Sequence, residues 1–189
     1  LLYEKGNSEI EQNYSKSIEY YWKSAELGDD YSLYNLGHFY HYGIGVQIDK
    51  QKALDCYLKS AKKDNVKALF ILGALYDNGE IVKKDMKKAL EYYRRAEKYN
   101  YPLALYNLGI LYLNGKEVPK SAEKAFDYFK RSSEQGTPKA LCKLGECFDK
   151  GVGTTTNKKM ALDCYEKALQ MGENNCLLDL ALLYFKGEG

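Results

Sequence analysis

The sequence predicts an all-α fold, an array of about five 36-residue helix-turn-helix repeats, and three observations predict it. Gly37, Gly73, Gly109 and Gly145 recur every 36 residues, with Ala181 on the next beat. Each stands in one phrase: LYNLGHFYHYG from Leu33, LFILGALYDNG from Leu69, LYNLGILYLNG from Leu105, LCKLGECFDKG from Leu141 and LLDLALLYFKG from Leu177. A second glycine closes every phrase, at Gly43, Gly79, Gly115, Gly151 and Gly187. A period of this size marks one two-helix unit copied and stacked, each copy burying its apolar face against its neighbours.

The phrase itself is the first helix of the unit, helix A. Counted from the beat glycine, the position five before it is small: Ser32, Ala68, Ala104, Ala140 and Cys176. The positions four before and one before are leucine in every copy, and the position three after is aromatic: Tyr40, Tyr76, Tyr112, Phe148 and Tyr184. Spacings of three and four place these residues on one helical face. The closing glycine follows the last periodic residue, where a helix commonly ends on a left-handed glycine.

After a short loop, Asp49, Asp85, Ser121 and Asn157 stand where N-caps of a second helix, helix B, belong. Helix B carries small residues at Ser17, Ala53, Ala89, Ala125 and Ala161, and aromatics at Tyr21, Tyr57, Tyr93, Phe129 and Tyr165. Small columns let helices cross closely, while tyrosine and leucine columns fill the space between units. Gly28, Asp64, Asn100, Gly136 and Gly172 end it. Residues 1–189 thus form a single array: a partial repeat over 1–30, repeats over 31–66, 67–102, 103–138 and 139–174, and a partial repeat over 175–189. The chain opens on LLYEKG and closes on LLYFKGEG, the same part of the repeat, with no polar capping helix at either end. It is therefore expected to be a segment of a longer repeat protein.

Composition narrows the function. With 28 basic and 26 acidic residues the net charge is +2, without the concentrated basic face that nucleic-acid binding requires. No apolar run approaches the ~20 residues of a membrane-spanning helix. The five cysteines, Cys56, Cys142, Cys147, Cys164 and Cys176, are odd in number and do not recur copy after copy as a disulfide ladder would require. They read as buried, reduced thiols acting as small hydrophobes. That reading places the chain in a reducing, cytoplasmic compartment, with the secretory lumen or secretion as the alternative. Asn13-Tyr14-Ser15 is a formal glycosylation acceptor, a triplet that arises often by chance.

Ala68, Leu72, Gly73, Tyr76, Gly79, Val82, Asp85, Lys88, Ala89 and Tyr93 in one copy follow the pattern of the Sel-1-like repeat. Gly43, Gly45, Val46, Asp49, Lys52, Ala53, Tyr57 and Ala61 follow it in another, and the chain resembles that family over almost its whole length. Tetratricopeptide arrays have a similar helix A but a shorter period and no glycine-rich loop. Local departures are Ala181 for the beat glycine, Thr154 for the loop valine and Met160 for the usual lysine. The resemblance implies a right-handed α-solenoid, tetratricopeptide-like, that works as an adaptor or scaffold in signalling or quality-control complexes. A secreted, cysteine-rich branch of the family carries a disulfide in each repeat and is linked to β-lactam binding. Its paired cysteines are missing here, where Ala25, Ala61, Glu97, Ser133 and Leu169 stand near the end of helix B. A third possibility is that the repeats tether an enzyme domain encoded elsewhere.

No catalytic constellation, cofactor motif or metal site emerges. His38 and His41, three apart on one helix, lack a third ligand nearby and read as exposed or half-buried helix histidines. Cys142 and Cys147 are poorly spaced ligands without a companion histidine. The Gly43-Ile44-Gly45 and Gly151-Val152-Gly153 loops follow a helix, not a strand, and read as helix punctuation instead of a phosphate cradle. Eight of the nineteen tyrosines stand in the two aromatic packing columns, so packing accounts for them without a ligand.

Function is sought where the repeat varies. The helix A positions two before, one after and five after the beat glycine are expected to line the inner surface of the superhelix. They read Asn35, His38 and Tyr42, then Ile71, Ala74 and Asn78, then Asn107, Ile110 and Asn114. Asn35 and Asn107 stand where related helical arrays place an asparagine on a bound peptide's backbone, which a side-chain amide suits because it both donates and accepts. Ile71, Ala74 and Ile110 add an apolar patch. A peptide or partner-protein segment lying across these copies is one expectation, and a merely hydrated surface is the other.

Overall fold

The computed structural model describes residues 13–187, and among them every regular element is an α-helix. The B helices are α1 (Tyr14–Glu26), α3 (Lys50–Lys62), α5 (Met86–Glu97), α7 (Ala122–Glu134) and α9 (Lys158–Gln170). The A helices are α2 (Asp30–Tyr42), α4 (Val66–Asn78), α6 (Pro102–Asn114), α8 (Pro138–Lys150) and α10 (Leu177–Phe185). The described residues fall into two compact units that divide within α5, after Arg95. The opening of the first partial repeat, residues 1–12, and the last two residues lie outside the described residues.

The helix ends are written in the sequence. Four A helices stop on left-handed glycines, with φ of 70° at Gly43, 74° at Gly79, 67° at Gly115 and 70° at Gly151. In α10 the cap is Lys186 in the right-handed region, and Gly187 at φ 65° follows it. Asp49, Ser121 and Asn157 each accept from the backbone N–H three residues on, and Asp85 accepts from Lys87 and Lys88 N–H at 3.1 Å. Each such cap is worth about 1 kcal/mol. The first four A helices start by two devices. Asp29 and Asn65 accept from Ser32 and Ala68 N–H at 2.8 and 3.0 Å, whereas α6 and α8 begin on Pro102 and Pro138, whose preset φ suits the first turn. Asn13 of the formal glycosylation triplet is itself the N-cap of α1.

The beat glycine is a seat for a ring. A Cβ added at Gly37, Gly73, Gly109 or Gly145 would lie 2.6, 2.5, 2.6 or 2.6 Å from the ring of Tyr57, Tyr93, Phe129 or Tyr165 respectively. All four rings are fully buried, so each A helix touches its B helix through a position that tolerates no side chain. A second pairing repeats above the rings. Lys52, Lys88 and Lys124 place their ammonium groups 5.4, 5.0 and 5.2 Å from the Tyr40, Tyr76 and Tyr112 ring centroids, a cation–π contact. In the fourth copy both partners change, to Met160 and Phe148.

A third pairing serves the buried tyrosine hydroxyls. Tyr57 Oη lies 3.5 Å from His41 Nδ1, and Tyr93 Oη donates to Asp77 Oδ2 at 3.5 Å. In the third copy Phe129 has no hydroxyl, and the corresponding helix A residue is Leu113. In the fourth, Lys158 holds Asp149 at 2.7 Å, and Tyr165 Oη is buried with no hydrogen-bond partner among the described residues.

Successive B helices are tied within each unit. Arg95 donates to Ala61 O at 2.6 Å and Asp64 Oδ1 at 2.8 Å, and Arg131 donates to Glu97 Oε1 at 3.3 Å and Asn100 Oδ1 at 2.9 Å. All five cysteines are free thiols, and all but half-buried Cys142 are buried. Burial pushes Cys56, Cys147 and Cys164 up to about 11. Cys56 and Cys164 share one repeat position three copies apart, with Tyr92 and Tyr128 at that position between them.

Candidate partner-binding face

In the first unit α2 and α4 run side by side. Asn65 Nδ2 donates to Asp30 Oδ2 at 2.8 Å near their starts, and His41 Nε2, in the last turn of α2, lies 3.0 Å from Glu80 Oε1 just past the end of α4. This sets Asn35, His38 and Tyr42 on α2 beside Ile71, Ala74 and Asn78 on α4. Asn35, His38, Ile71 and Ala74 are half-buried, while Tyr42 and Asn78 are exposed. The order follows the helix: positions two before and one after the glycine border the packing columns, and the position five after stands clear of them. In the second unit Asn107 and Ile110 on α6 are half-buried and Asn114 is exposed.

Aromatic rings dominate the α2 side. The His38 and Tyr42 rings lie 4.6 Å apart, and the His41 ring stacks on Tyr42 at 4.4 Å. His41 is buried, not exposed or half-buried as its sequence suggested. It fills the space between the Tyr57 hydroxyl and the Glu80 carboxylate, a structural role that the helical period alone does not reveal. The His41 hydrogen bond, helped by Lys50, holds Glu80 below the usual carboxylate range. Burial, with His41 adding to it, lowers His38 and so favours its neutral ring.

Lys67 adds a feature that sequence reasoning missed. Its ammonium lies 5.3 Å from the Tyr31 ring centroid and 5.7 Å from that of Tyr34. The signal was available, since Lys67 stands one period after Tyr31. In the second unit the corresponding positions on α8 close on themselves: Glu146 accepts from Lys143 at 2.7 Å and from Lys150 at 2.9 Å. Burial opposes ionisation of Glu146, but the two ammonium groups outweigh it and hold the carboxyl low. The first unit thus offers an amide and rings on α2 and apolar side chains with an amide on α4; the second offers amides and an apolar side chain on α6 and a self-neutralised charge strip on α8. Among the described residues no three His, Cys, Asp or Glu side chains gather as a metal site, and no helix is long and apolar enough to cross a membrane.

The Sel1 repeat model matches residues 1–29, 30–65, 66–98, 102–137 and 138–173. The chain belongs to the Sel1 repeat family. A Sel1 repeat protein from Oxalobacter formigenes is 28% identical with a TM-score of 0.87, covering 94% of this chain and 73% of its own. A protective antigen of uropathogenic Escherichia coli strains displaying an SLR fold is 29% identical with a TM-score of 0.85 over 90% of this chain. The present chain spans only 36% of that antigen's length. Cysteine-rich protein B of Helicobacter pylori is 29% identical with a TM-score of 0.53, covering 71% of this chain and 97% of its own. No curated protein matches the chain. The all-α repeats of this Sel1 array are therefore those of a tetratricopeptide-like helical solenoid, and Sel1 repeats generally mediate protein interactions.

Proposed function

We propose that this Sel1 array is a noncatalytic scaffold that holds a partner protein's segment on its helix A face and so assembles a signalling or quality-control complex. The observation that carries the proposal is Asn35, a half-buried amide whose Nδ2 has no hydrogen-bond partner among the described residues. A donor left without an acceptor costs about 1–3 kcal/mol; Nδ2 is buried, and a rotation of the Asn35 side chain would present it to the backbone carbonyl of an extended segment and remove that cost whatever the segment's sequence. Ile71 and Ala74 give such a segment apolar contact on α4, and Tyr42 offers an exposed ring. Asn107 with Ile110 offers the same chemistry on the second unit.

The test is affinity capture from cells of the source organism, followed by binding measurements with the purified partner. Asn35→Ala is expected to weaken binding about three- to tenfold, the effect of one hydrogen bond, and Asn107→Ala tests the second unit independently. Binding unchanged in both variants would overturn the proposal.

The same reading places the protein in a reducing, cytoplasmic compartment. Thiol titration of protein purified without reductant, then unfolded in denaturant, is expected to count all five cysteines as free. A count of one would mean two disulfides and would move the chain toward the secreted, cysteine-rich branch.

A further inference from the structure

A groove of about 410 Å³ opens between the C-terminal halves of α1 and α3, with Leu33 of α2 at its floor and none of the candidate helix A face residues in its lining. Trp22, Ala25 and Leu33 form its apolar part; Lys59, Lys62 and Lys63 stand around it, with Glu26 the one carboxylate among its lining residues. Trp22 is half-buried and its indole N–H donates to the Tyr40 hydroxyl at 3.4 Å, which fixes the ring. Lys63 is held at the rim by its bond to Gly28 O at 2.6 Å.

The later copies show what this position demands. Lys59 corresponds to Arg95, Arg131 and Lys167 at successive 36-residue steps. Arg95 pairs with Asp64 at 2.8 Å, Arg131 with Glu97 at 3.3 Å, and Lys167 with Asp163 at 3.0 Å. In each of those copies the chain neutralises its own cation. In the first copy Ala25 and Gly28 stand where Glu97, Asp64 and Asn100 supply acceptors to Arg95 and Arg131, and Asp55, the counterpart of Asp163, accepts from Gln51 at 3.1 Å instead of from Lys59. Neither Lys59 nor Lys62 makes an ion pair or hydrogen bond among the described residues. The acceptors missing in cis leave exposed cations beside an apolar floor, which is the complement of an acidic segment carrying an apolar anchor.

We infer that the groove between α1 and α3 docks an acidic segment of a partner protein, with an apolar side chain against Trp22, Ala25 and Leu33 and its carboxylates on Lys59 and Lys62. The contact supplies from outside the pairing that Asp64 and Glu97 supply from within. It also gives the array a second interaction surface, on its B helices, that works independently of the helix A face.

Trp22 is the single tryptophan of the chain, so its fluorescence reports the groove directly. The probe is a blocked peptide, Leu-Glu-Glu-Leu-Asp-Glu, titrated beside its counterpart with every carboxylate replaced by an amide. The acidic peptide is expected to change the emission saturably below about 1 mM, and to bind about tenfold more weakly when salt is raised from 0.05 to about 0.5 M. The amide peptide, and the acidic peptide with the double variant Lys59→Glu, Lys62→Glu, are each expected to lose at least about tenfold. Both lysines are exposed, so far-ultraviolet circular dichroism should show the variant folded as the parent is. Asn35→Ala is expected to leave this titration unchanged, which separates the groove from the helix A face. No saturable change, equal binding of the two peptides, or acidic-peptide binding that survives lysine reversal would each overturn the inference.

Discussion

Gly73→Val is expected to lower the stability of the chain by about 3 kcal/mol, because it drives a branched side chain into the buried ring of Tyr93. An added Cβ at Gly73 already falls 2.5 Å from that ring, and Tyr93 is 1% exposed, so the ring cannot swing into solvent. Helix propensity opposes the effect but loses: replacing glycine recovers at most about 1 kcal/mol, and less for a β-branched residue. Chemical denaturation followed by circular dichroism reads the loss as a lower midpoint at unchanged slope. Adding Tyr93→Ala opens room for the valine, so the double variant should be more stable than the sum of the two single losses predicts. Additive losses would mean that ring and glycine do not meet. The control is Ala181→Val, the same repeat position in α10 but exposed, where the change should stay within about 0.5 kcal/mol.

This contact also explains why so much of the fold was legible in the sequence. A glycine that must accept a ring cannot drift, and its four copies set the period, the helix A face and the place of helix B. The caps were equally legible, since Asp49, Asp85, Ser121 and Asn157 act through chemistry local to their own turn. Features spanning two copies were harder to read. His41 lies outside the packing columns, and its burial depends on Glu80 from the next copy and Tyr57 from the next helix. Lys59 beside Trp22 is unpaired among the described residues because Ala25 and Gly28 lack the acceptors that serve Arg95 and Arg131, and a missing side chain leaves no motif. The candidate face was found by its variability, which marks positions that the scaffold leaves free without saying what occupies them. The unpartnered amide of Asn35 depends on side-chain geometry and could not be read from the letter alone.

The tyrosine hydroxyls carry the second large expectation, because the array tests the same buried group in four settings. Phe129→Tyr is expected to cost about 2 kcal/mol, since it places a hydroxyl where Tyr57 and Tyr93 have His41 and Asp77 but this copy has Leu113. Adding Leu113→Asp supplies the acceptor and should recover at least half of that loss. In the fourth copy the sign reverses. Tyr165 keeps its hydroxyl, but Lys158 has drawn Asp149 into an ion pair, and burial pushes the phenol well above its ordinary range. Tyr165→Phe should therefore stabilise the chain by about 1 kcal/mol, whereas Tyr57→Phe, which strips a partner from buried His41, should destabilise it by about as much. Urea midpoints of the two variants, compared at equal slope, decide the matter. A loss in Tyr165→Phe equal to that in Tyr57→Phe would show that the fourth hydroxyl has a partner after all. Opposite signs would show that Tyr165 retains a ring the glycine seat requires while its hydroxyl has lost the acceptor that the first two copies provide.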